Sequence, residues 1–393
     1  MLRRISLHRS LPRLLLASTL LVLPLISIWN MSVEPGHDIK LGPKLAGVTD
    51  VARIGFSWSA ITGGGFQKAA ASRITEAFAL RPLLIRLNNS IRFELFGDYS
   101  ESYVVRGASG HLIGSSYLIE YCARTEGMGG RLAAEVAPGL KTIQDHFRAA
   151  GGEFVYLISP SKAAHLPEYF LDRFACTNSP AARAQFIPDY VGALRAAGIS
   201  VVDGASLIHS QKGRYEVPLF PEGGEHWNDI GGALAVSAVV EEINRQAGRV
   251  LIPPFSFTYS LSNAKSKADR ELADLLNVFF PPLGYVTAKV SFDQPASCRT
   301  HPAHDLAIAM VGSSFGFLPS QIMLEHNCLS RLNFYYYAKL GLFGGEPFHE
   351  LQRNLERNEV ARAADAQVMI LEENESFVGR TNYTRMLYDV VSK

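Results

Sequence analysis

From Tyr103 onward, short unbroken apolar runs alternate with longer stretches whose apolar residues recur every three or four positions, the pattern of strands and helices in turn. Tyr103 to Gly114 has two short runs around Ala108-Ser109-Gly110 and predicts a hairpin. Leu132 to Ala150 predicts a helix, and Phe154 to Ile158 a buried strand that Pro160 stops. Ile187 to Ala197 repeats the helix and Ile199 to Val202 the strand, with Asp203 at its carboxyl end. Ala233 to Gln246 is helical again. Leu306 to Val311 is then a short apolar run suited to a strand covered on both faces, and Gly312-Ser313-Ser314 suits a tight turn into a helix beginning near Phe315. Such alternation signals βαβ units and an α/β fold with a parallel sheet.

The flanking patterns differ. Gly42 to Gly65 is irregular and carries the patch Phe56-Ser57-Trp58, an extended lead into the fold. Phe66 to Phe96 places Ile74, Phe78, Leu84, Leu87, Ile91 and Leu95 at helical intervals, which predicts two amphipathic helices broken near Pro82. Leu251 to Thr300, with Pro253-Pro254 and Pro281-Pro282 around a charged helix at Ser266 to Val278, reads as an insertion that overhangs the site or packs beside it. Arg331 to Ala338 sets three tyrosines in a row, for sugar stacking or for the core.

At the N-terminus, Arg3, Arg4, Arg9 and Arg13 precede Leu14 to Trp29, which holds no charge. This is a membrane-targeting segment. Asn30-Met31-Ser32 lacks a small-x-small cleavage signal, so a retained anchor is favoured over a removed signal peptide. Basic residues ahead of the span put the chain beyond Trp29 on the outer side, the periplasm of a bacterial inner membrane. The organisation expected is therefore 1–35 cytoplasmic tip and anchor, 36–100 linker and helices, and 101–393 the main domain, with the insertion at about 250–300. In that oxidising compartment Cys122, Cys176, Cys298 and Cys328 can form two disulfides. Cys298 and Cys328 flank the Ser314 strand and turn and are paired first, leaving Cys122 with Cys176; buried free thiols are the alternative. None has metal or redox C-x-x-C spacing, and no cofactor or metal is expected. A net charge of +1 over 393 residues, with no basic cluster after the first few, argues against a nucleic-acid partner.

The chemistry converges on two stretches. A serine on a strand-to-helix turn stands at the carboxyl edge of the sheet, where open α/β sheets bind ligands and where backbone N–H groups opening the helix can hold an oxyanion. Ser314 is the candidate nucleophile, against the alternative that Ser313 or Ser314 merely caps a helix. The second stretch, Glu222 to Gly232, puts His226 in a glycine-loosened loop before a helix, as a base for Ser314 or as a structural histidine. Ser161-Lys162 and Asp203 also fall at the sheet edge, where capping explains them equally well.

These stretches, with GGGFQ at Gly63 to Gln67, LRPLLIRLNN at Leu80 to Asn89, the VVRGASGHL hairpin, YLISPSKAAHLPE at Tyr156 to Glu168, HWN at His226 to Asn228, VGSSFG at Val311 to Gly316 and QVMILEENE at Gln367 to Glu375, resemble the AlgX/AlgJ-like proteins of bacterial polysaccharide O-acetylation. The resemblance implies a circularly permuted SGNH hydrolase-like, flavodoxin-like three-layer sandwich around a parallel sheet, in addition to the N-terminal anchor helix. It implies acetyl transfer through an acetyl-serine to an exported polysaccharide such as alginate, with a multispanning membrane acyltransferase as acetyl donor. Ser314 aligns with the family nucleophile and Ser313 replaces the aspartate of its G-D-S. Gly224 stands where the family has an aspartate orienting the histidine. The acid is then Glu225, with Glu222 and Asp203 as alternatives, unless Ser314 and His226 act as a dyad. An esterase, or a scaffold of an export complex whose triad has decayed, are the competing functions.

Overall fold

The computed structural model describes residues 7–33, 37–48, 58–97, 103–171, 174, 176–293, 298–338, 340–343, 351–354 and 360–393. Phe56 and Ser57 of the expected aromatic patch, and Arg3 and Arg4, lie outside them. The chain divides into two compact units, one of residues 1–101 with 273–282, the other of 102–272 with 283–393.

In the larger unit the strands in chain order are β1 (Val104–Arg106), β2 (Leu112–Gly114), β3 (Glu153–Ser159), β4 (Val201–Asp203), β5 (Ser256–Ser262), β6 (Thr287–Asp293), β7 (Ile308–Gly312), β8 (Leu332–Tyr336), β9 (Leu340–Phe343), β10 (Leu351–Asn354) and β11 (Val368–Asn374). Seven form the central sheet in the order β10-β9-β8-β7-β11-β3-β4. The five from β8 to β4 are parallel, whereas β9 and β10 add an antiparallel edge that the expectation of a parallel sheet lacked. β1 with β2 is the expected hairpin, and β5 with β6 is a second antiparallel pair.

The apolar runs form strands because helices cover both faces. On one face Phe154, Tyr156, Ile158, Val311, Met369 and Leu371 pack against the helices Met128–Ala149, Pro180–Ala196 and Asn382–Val391. Their sequence neighbours Val155, Leu157, Met310 and Ile370 turn the other way, onto the helices Asp229–Ala247 and Phe317–His326. The result is a three-layer α/β sandwich, in which each fully buried side chain of this size contributes about 1.5–3 kcal/mol. Cys122 is bonded to Cys176 and Cys298 to Cys328, as paired from the sequence.

The smaller unit bears on two expectations. The expected anchor is helical, Leu7–Ser32, with Pro12 and Pro24 inside it. Among the described residues, however, no helix is long and apolar enough to cross a membrane. An anchor helix therefore gains no support. The helices Gly65–Ala77 and Arg81–Phe96 form as expected, with Pro82 in the first turn of the second, where its missing N–H is harmless. Yet their apolar stripe is not the packed face. Ile74, Leu84, Leu87, Ile91 and Leu95 are exposed, while Asn89 and Phe93 are buried, and Asn89 Nδ2 donates to the carbonyl of Leu276 at 2.9 Å. Polar bonding, rather than the apolar stripe, seats this helix on residues 273–282.

Candidate active site

Strand β7 ends at Gly312, where a β-carbon would lie 2.7 Å from a carboxylate oxygen of Glu372; only glycine lets β7 lie this close to that side chain. Ser313 comes next, its N–H donating to Glu372 Oε2 at 2.7 Å and its hydroxyl at 2.9 Å. Its hydroxyl oxygen also accepts from the N–H of Phe315 at 3.2 Å, so Ser313 is the capping residue and Ser314 is left free of that duty. A short 3₁₀ turn, Ser314–Gly316, then leads into the helix Phe317–His326. Ser314 is partly exposed at the carboxyl edge of the parallel strands.

His226 is held from both sides. Asn228 caps the helix Asp229–Ala247 by accepting from Gly231 N at 3.1 Å, and its amide donates to the carbonyl of Pro218 at 3.0 Å. Trp227 is fully buried, and the His226 ring centroid lies 4.6 Å from that of Phe315. Ser314 Oγ is 2.8 Å from His226 Nε2, and His226 Nδ1 is 2.5 Å from Glu271 Oε1. With Nδ1–H donating to the carboxylate, Nε2 is the acceptor for the serine proton. This is the nucleophile, base and orienting acid arrangement of a serine triad.

The carboxylate bonded to His226 is not one of those expected as its acid. Glu225 is buried and points away, its Oε2 accepting from Gly114 N at 2.5 Å. Asp203 caps the helix Gly204–Ser210 by accepting from Ser206 N at 2.8 Å, and no bond joins its carboxylate or that of Glu222 to His226. Glu271 instead comes from the charged helix Lys267–Leu275, in the stretch read as an insertion, so that insertion completes the site. Gly224 explains both facts. A β-carbon there would sit 2.2 Å from the carbonyl oxygen of Ala268, so the absence of a side chain admits the helix that supplies Glu271. Leu272 N bonds to the carbonyl of Gly223 at 3.0 Å, and Glu271 Oε1 accepts further from Glu225 N at 2.9 Å, tying helix to loop.

The electrostatics are set by this packing. Burial alone would push the His226 imidazole down, but the hydrogen bond and charge of Glu271, with Glu225 and Glu372 behind, more than offset it, and its pKa stands above the ordinary value. For Glu271, burial pulls upward and the bond and charge of His226 prevail, leaving it below the usual carboxylate range. Lys162 is wholly buried, and its ammonium donates to the carbonyls of Pro221, Glu222 and Gly224 at 2.5, 3.0 and 2.7 Å. It fastens the histidine loop from below, although burial lowers its pKa to about 7.

The oxyanion reading needs a change as well. The N–H groups of Phe315 and Gly316 are taken by the hydroxyl and carbonyl of Ser313. Burial, meanwhile, raises the pKa of the Tyr337 phenol, against interactions with nearby Ser314. Tyr337 lies just past β8 with φ of 49°, a left-handed residue that leaves the strand direction. The three tyrosines thus part company. Tyr335 enters the core, Tyr336 packs 4.9 Å from Phe317, and Tyr337 reaches the site.

Glu372 bears on the Ser313 replacement. Burial raises it to about 7 against the bonds from Ser159 and Ser313. Because its folded pKa exceeds the unfolded one, its contribution is fully present below about pH 4.5 and is lost as pH rises through about 7. Restoring the family aspartate by Ser313→Asp sets a second carboxylate against it, and two buried carboxylates at such a distance cannot both ionise. The variant is expected to be less stable than the parent by roughly 1–3 kcal/mol at pH 8, and less so at pH 5, in urea unfolding. Equal stability at both values contradicts this.

The sequence matches the family described as the SGNH hydrolase-like domain of the acetyltransferase AlgX over residues 120–370, well over half of the chain. Among solved structures it is similar to the O-acetyltransferase domain of Pseudomonas putida AlgJ, at 18% identity over 73% of this chain and 99% of that one, with a TM-score of 0.45. It is similar to Pseudomonas aeruginosa AlgX at 16% identity, 75% and 68% coverage and a TM-score of 0.45. Similarity to Bacillus cereus PatB1 is weaker, at 9% identity, 70% and 96% coverage and a TM-score of 0.41. No curated protein matches it. On the breadth of the sequence match, the chain belongs to the AlgX family of SGNH hydrolase-like acetyltransferase domains.

Proposed function

We propose that this protein is a serine O-acetyltransferase that moves acetyl groups to hydroxyls of an exported polysaccharide on the periplasmic side of the bacterial inner membrane. The observation that carries the reading is the unbroken chain of hydrogen bonds from Ser314 through His226 to Glu271. His226 Nε2 takes the Ser314 proton as Oγ adds to the acetyl carbonyl. Collapse breaks the bond to the donor, whose leaving oxygen receives the proton from His226. A sugar hydroxyl then adds to the acetyl-serine with His226 again as base, and Ser314 leaves with the proton returned. The donor is proposed to be a multispanning membrane acyltransferase, and the acetyl group needs no cofactor on this chain. The two disulfides and the apolar segment after the N-terminal arginines support the compartment. A carboxylate bonded to His226 in spite of Gly224 supports the enzyme reading over a decayed scaffold.

The histidine gives the reading a pH signature. It works as a base only when neutral, and its pKa is raised, so acetyl-serine formation should rise with pH through a midpoint above about 6.5. In Glu271→Gln that midpoint should move down, since the charge that held it up is gone. Burst kinetics with p-nitrophenyl acetate between pH 5 and 9 measure this. A midpoint that moves up, or stays fixed, contradicts the role given to Glu271.

A further inference from the structure

Within the smaller unit the helix Arg81–Phe96 turns its apolar side outward. Leu84, Leu87, Ile91 and Leu95 recur every three or four residues, make one stripe, and are 46–72% exposed, while Pro82, Asn89 and Phe93 on the opposite side are buried. A helix seated by its apolar face shows the reverse. The stripe is continued by Ile74 and Phe78, exposed at the end of the helix Gly65–Ala77. These two, with Leu84, Arg81 and Ser27, line an open apolar groove of about 440 Å³. Ser27 belongs to the helix Leu7–Ser32, whose Leu21, Leu25 and Ile28 are exposed as well. An aliphatic surface thus runs across three helices of one unit, and a patch of that kind marks a place of contact.

The chain itself says what covers it. Leu14 to Trp29 carries no charge and follows four arginines. Its end is fastened to the helix pair: buried Asn30 donates through Nδ2 to the carbonyls of Ala77 at 3.0 Å and Ile39 at 2.8 Å, and Arg73 donates to the carbonyl of Val33 at 3.2 Å. A lipid surface that takes up the apolar segment therefore meets the stripe beside it. Trp29, exposed where the segment ends, is a residue type that settles at headgroup level. Charge agrees, since residues 1–101 hold twelve of the chain's 38 Lys and Arg but only seven of its 37 Asp and Glu. That excess suits anionic headgroups. Among the described residues no helix is long and apolar enough to cross a membrane, and a helix with one apolar and one polar side lies in the membrane plane instead.

We propose that this face of the smaller unit beds into the surface of an anionic phospholipid bilayer, with the helix Arg81–Phe96 in the plane of the headgroups and its stripe in the outer acyl region. The proposal rests on the membrane reading above and uses nothing of the chemistry at Ser314.

Full-length protein with a bimane label on Leu87→Cys or Ile91→Cys tests it, the native cysteines being held in their two disulfides. Both positions are exposed, so the melting temperature should stay at the parent value. On vesicles of phosphatidylcholine and phosphatidylglycerol, brominated acyl chains should quench either label at least twofold, and iodide access should fall at least threefold from its value without vesicles. Leu84→Glu with Leu95→Glu, placed in the labelled Ile91→Cys protein, should remove at least half of the bromine quenching. Leaving out phosphatidylglycerol should lower the bound fraction several-fold. Protein that sediments with the vesicles while both labels stay open to iodide would overturn the docking and leave the membrane reading standing; protein that does not sediment at all would remove both. Labels already protected without vesicles, in a protein that sediments as a dimer, would give the face to a second copy and overturn the proposal. Failure of the transfer reading shows separately, as wild-type protein that is not labelled at Ser314.

Discussion

Ser314→Ala is expected to abolish acetyl transfer, by a factor on the order of 10⁶ in kcat where the remaining steps can be measured, and to leave the melting temperature nearly unchanged. The hydroxyl is partly exposed and is bonded to His226, while the turn is built by Ser313, Gly312 and Glu372. Removing it takes away the reacting atom and little of the scaffold. His226→Ala should lose a similar factor, since an unactivated hydroxyl is a poor nucleophile at neutral pH. The double variant should be scarcely worse than either single one, because the members of such a relay act as a unit. A serine-directed sulfonyl fluoride distinguishes the roles: Ser314→Ala is never labelled, whereas His226→Ala is labelled slowly. The O-acetyl content of polysaccharide from a strain lacking the native copy gives the second measure. Full acetylation supported by Ser314→Ala would sink the serine mechanism.

What could be read from the sequence divides along physical lines. The strand and turn that display Ser314 were legible because a strand covered on both faces must be continuously apolar, as Ile308 to Val311 is, and a tight exit needs small residues, as Gly312 to Ser314 are. His226 was legible as a histidine in a glycine loop before a capped helix, and HWN strengthened it. The acid was not. Adjacency in sequence pointed to Glu225, yet neighbours on an extended loop face opposite ways, and Glu225 turns toward Gly114 while His226 turns toward Ser314. Glu271 lies 45 residues further on, and nothing in its helix marks one carboxylate among several. The signal that existed was Gly224 itself: a glycine in place of a side chain can mean that another element occupies its space. The apolar stripe of the helices Gly65–Ala77 and Arg81–Phe96 misled for a related reason. Periodicity reports that a helix has two faces, whereas Asn89 and Ser90, bonded to the Leu276 carbonyl and the Phe279 N–H, decide which one packs.

Replacing Glu271 by glutamine should lower kcat for acetyl transfer by about 10³–10⁴-fold while leaving the KM for acceptor within a few-fold, the pattern of a group that orients and charges the base without touching substrate. The amide is nearly isosteric, so the helix Lys267–Leu275 stays in place. What changes is the tautomer it favours at His226 and the charge that stabilises the imidazolium. Glu225→Gln should cost less than about tenfold, because its carboxylate faces Gly114 and Lys162 rather than the imidazole. Glu222→Gln and Asp203→Asn should be nearly silent. The sharper test is Gly224→Asp in the Glu271→Gln background, which returns the carboxylate to the position the family uses. A family-type site would recover; this one should not. The new β-carbon meets the Ala268 carbonyl oxygen at 2.2 Å, and the helix must move before an aspartate can reach His226. The expected result is no recovery of activity and a loss of roughly 1–3 kcal/mol of stability from overpacking, read as a lower urea midpoint. Recovery to within tenfold of wild type would show that the two acids are interchangeable and that the helix is not a required part of the triad. A crippling Glu225→Gln beside a silent Glu271→Gln would return the acid to the loop and overturn the assignment outright.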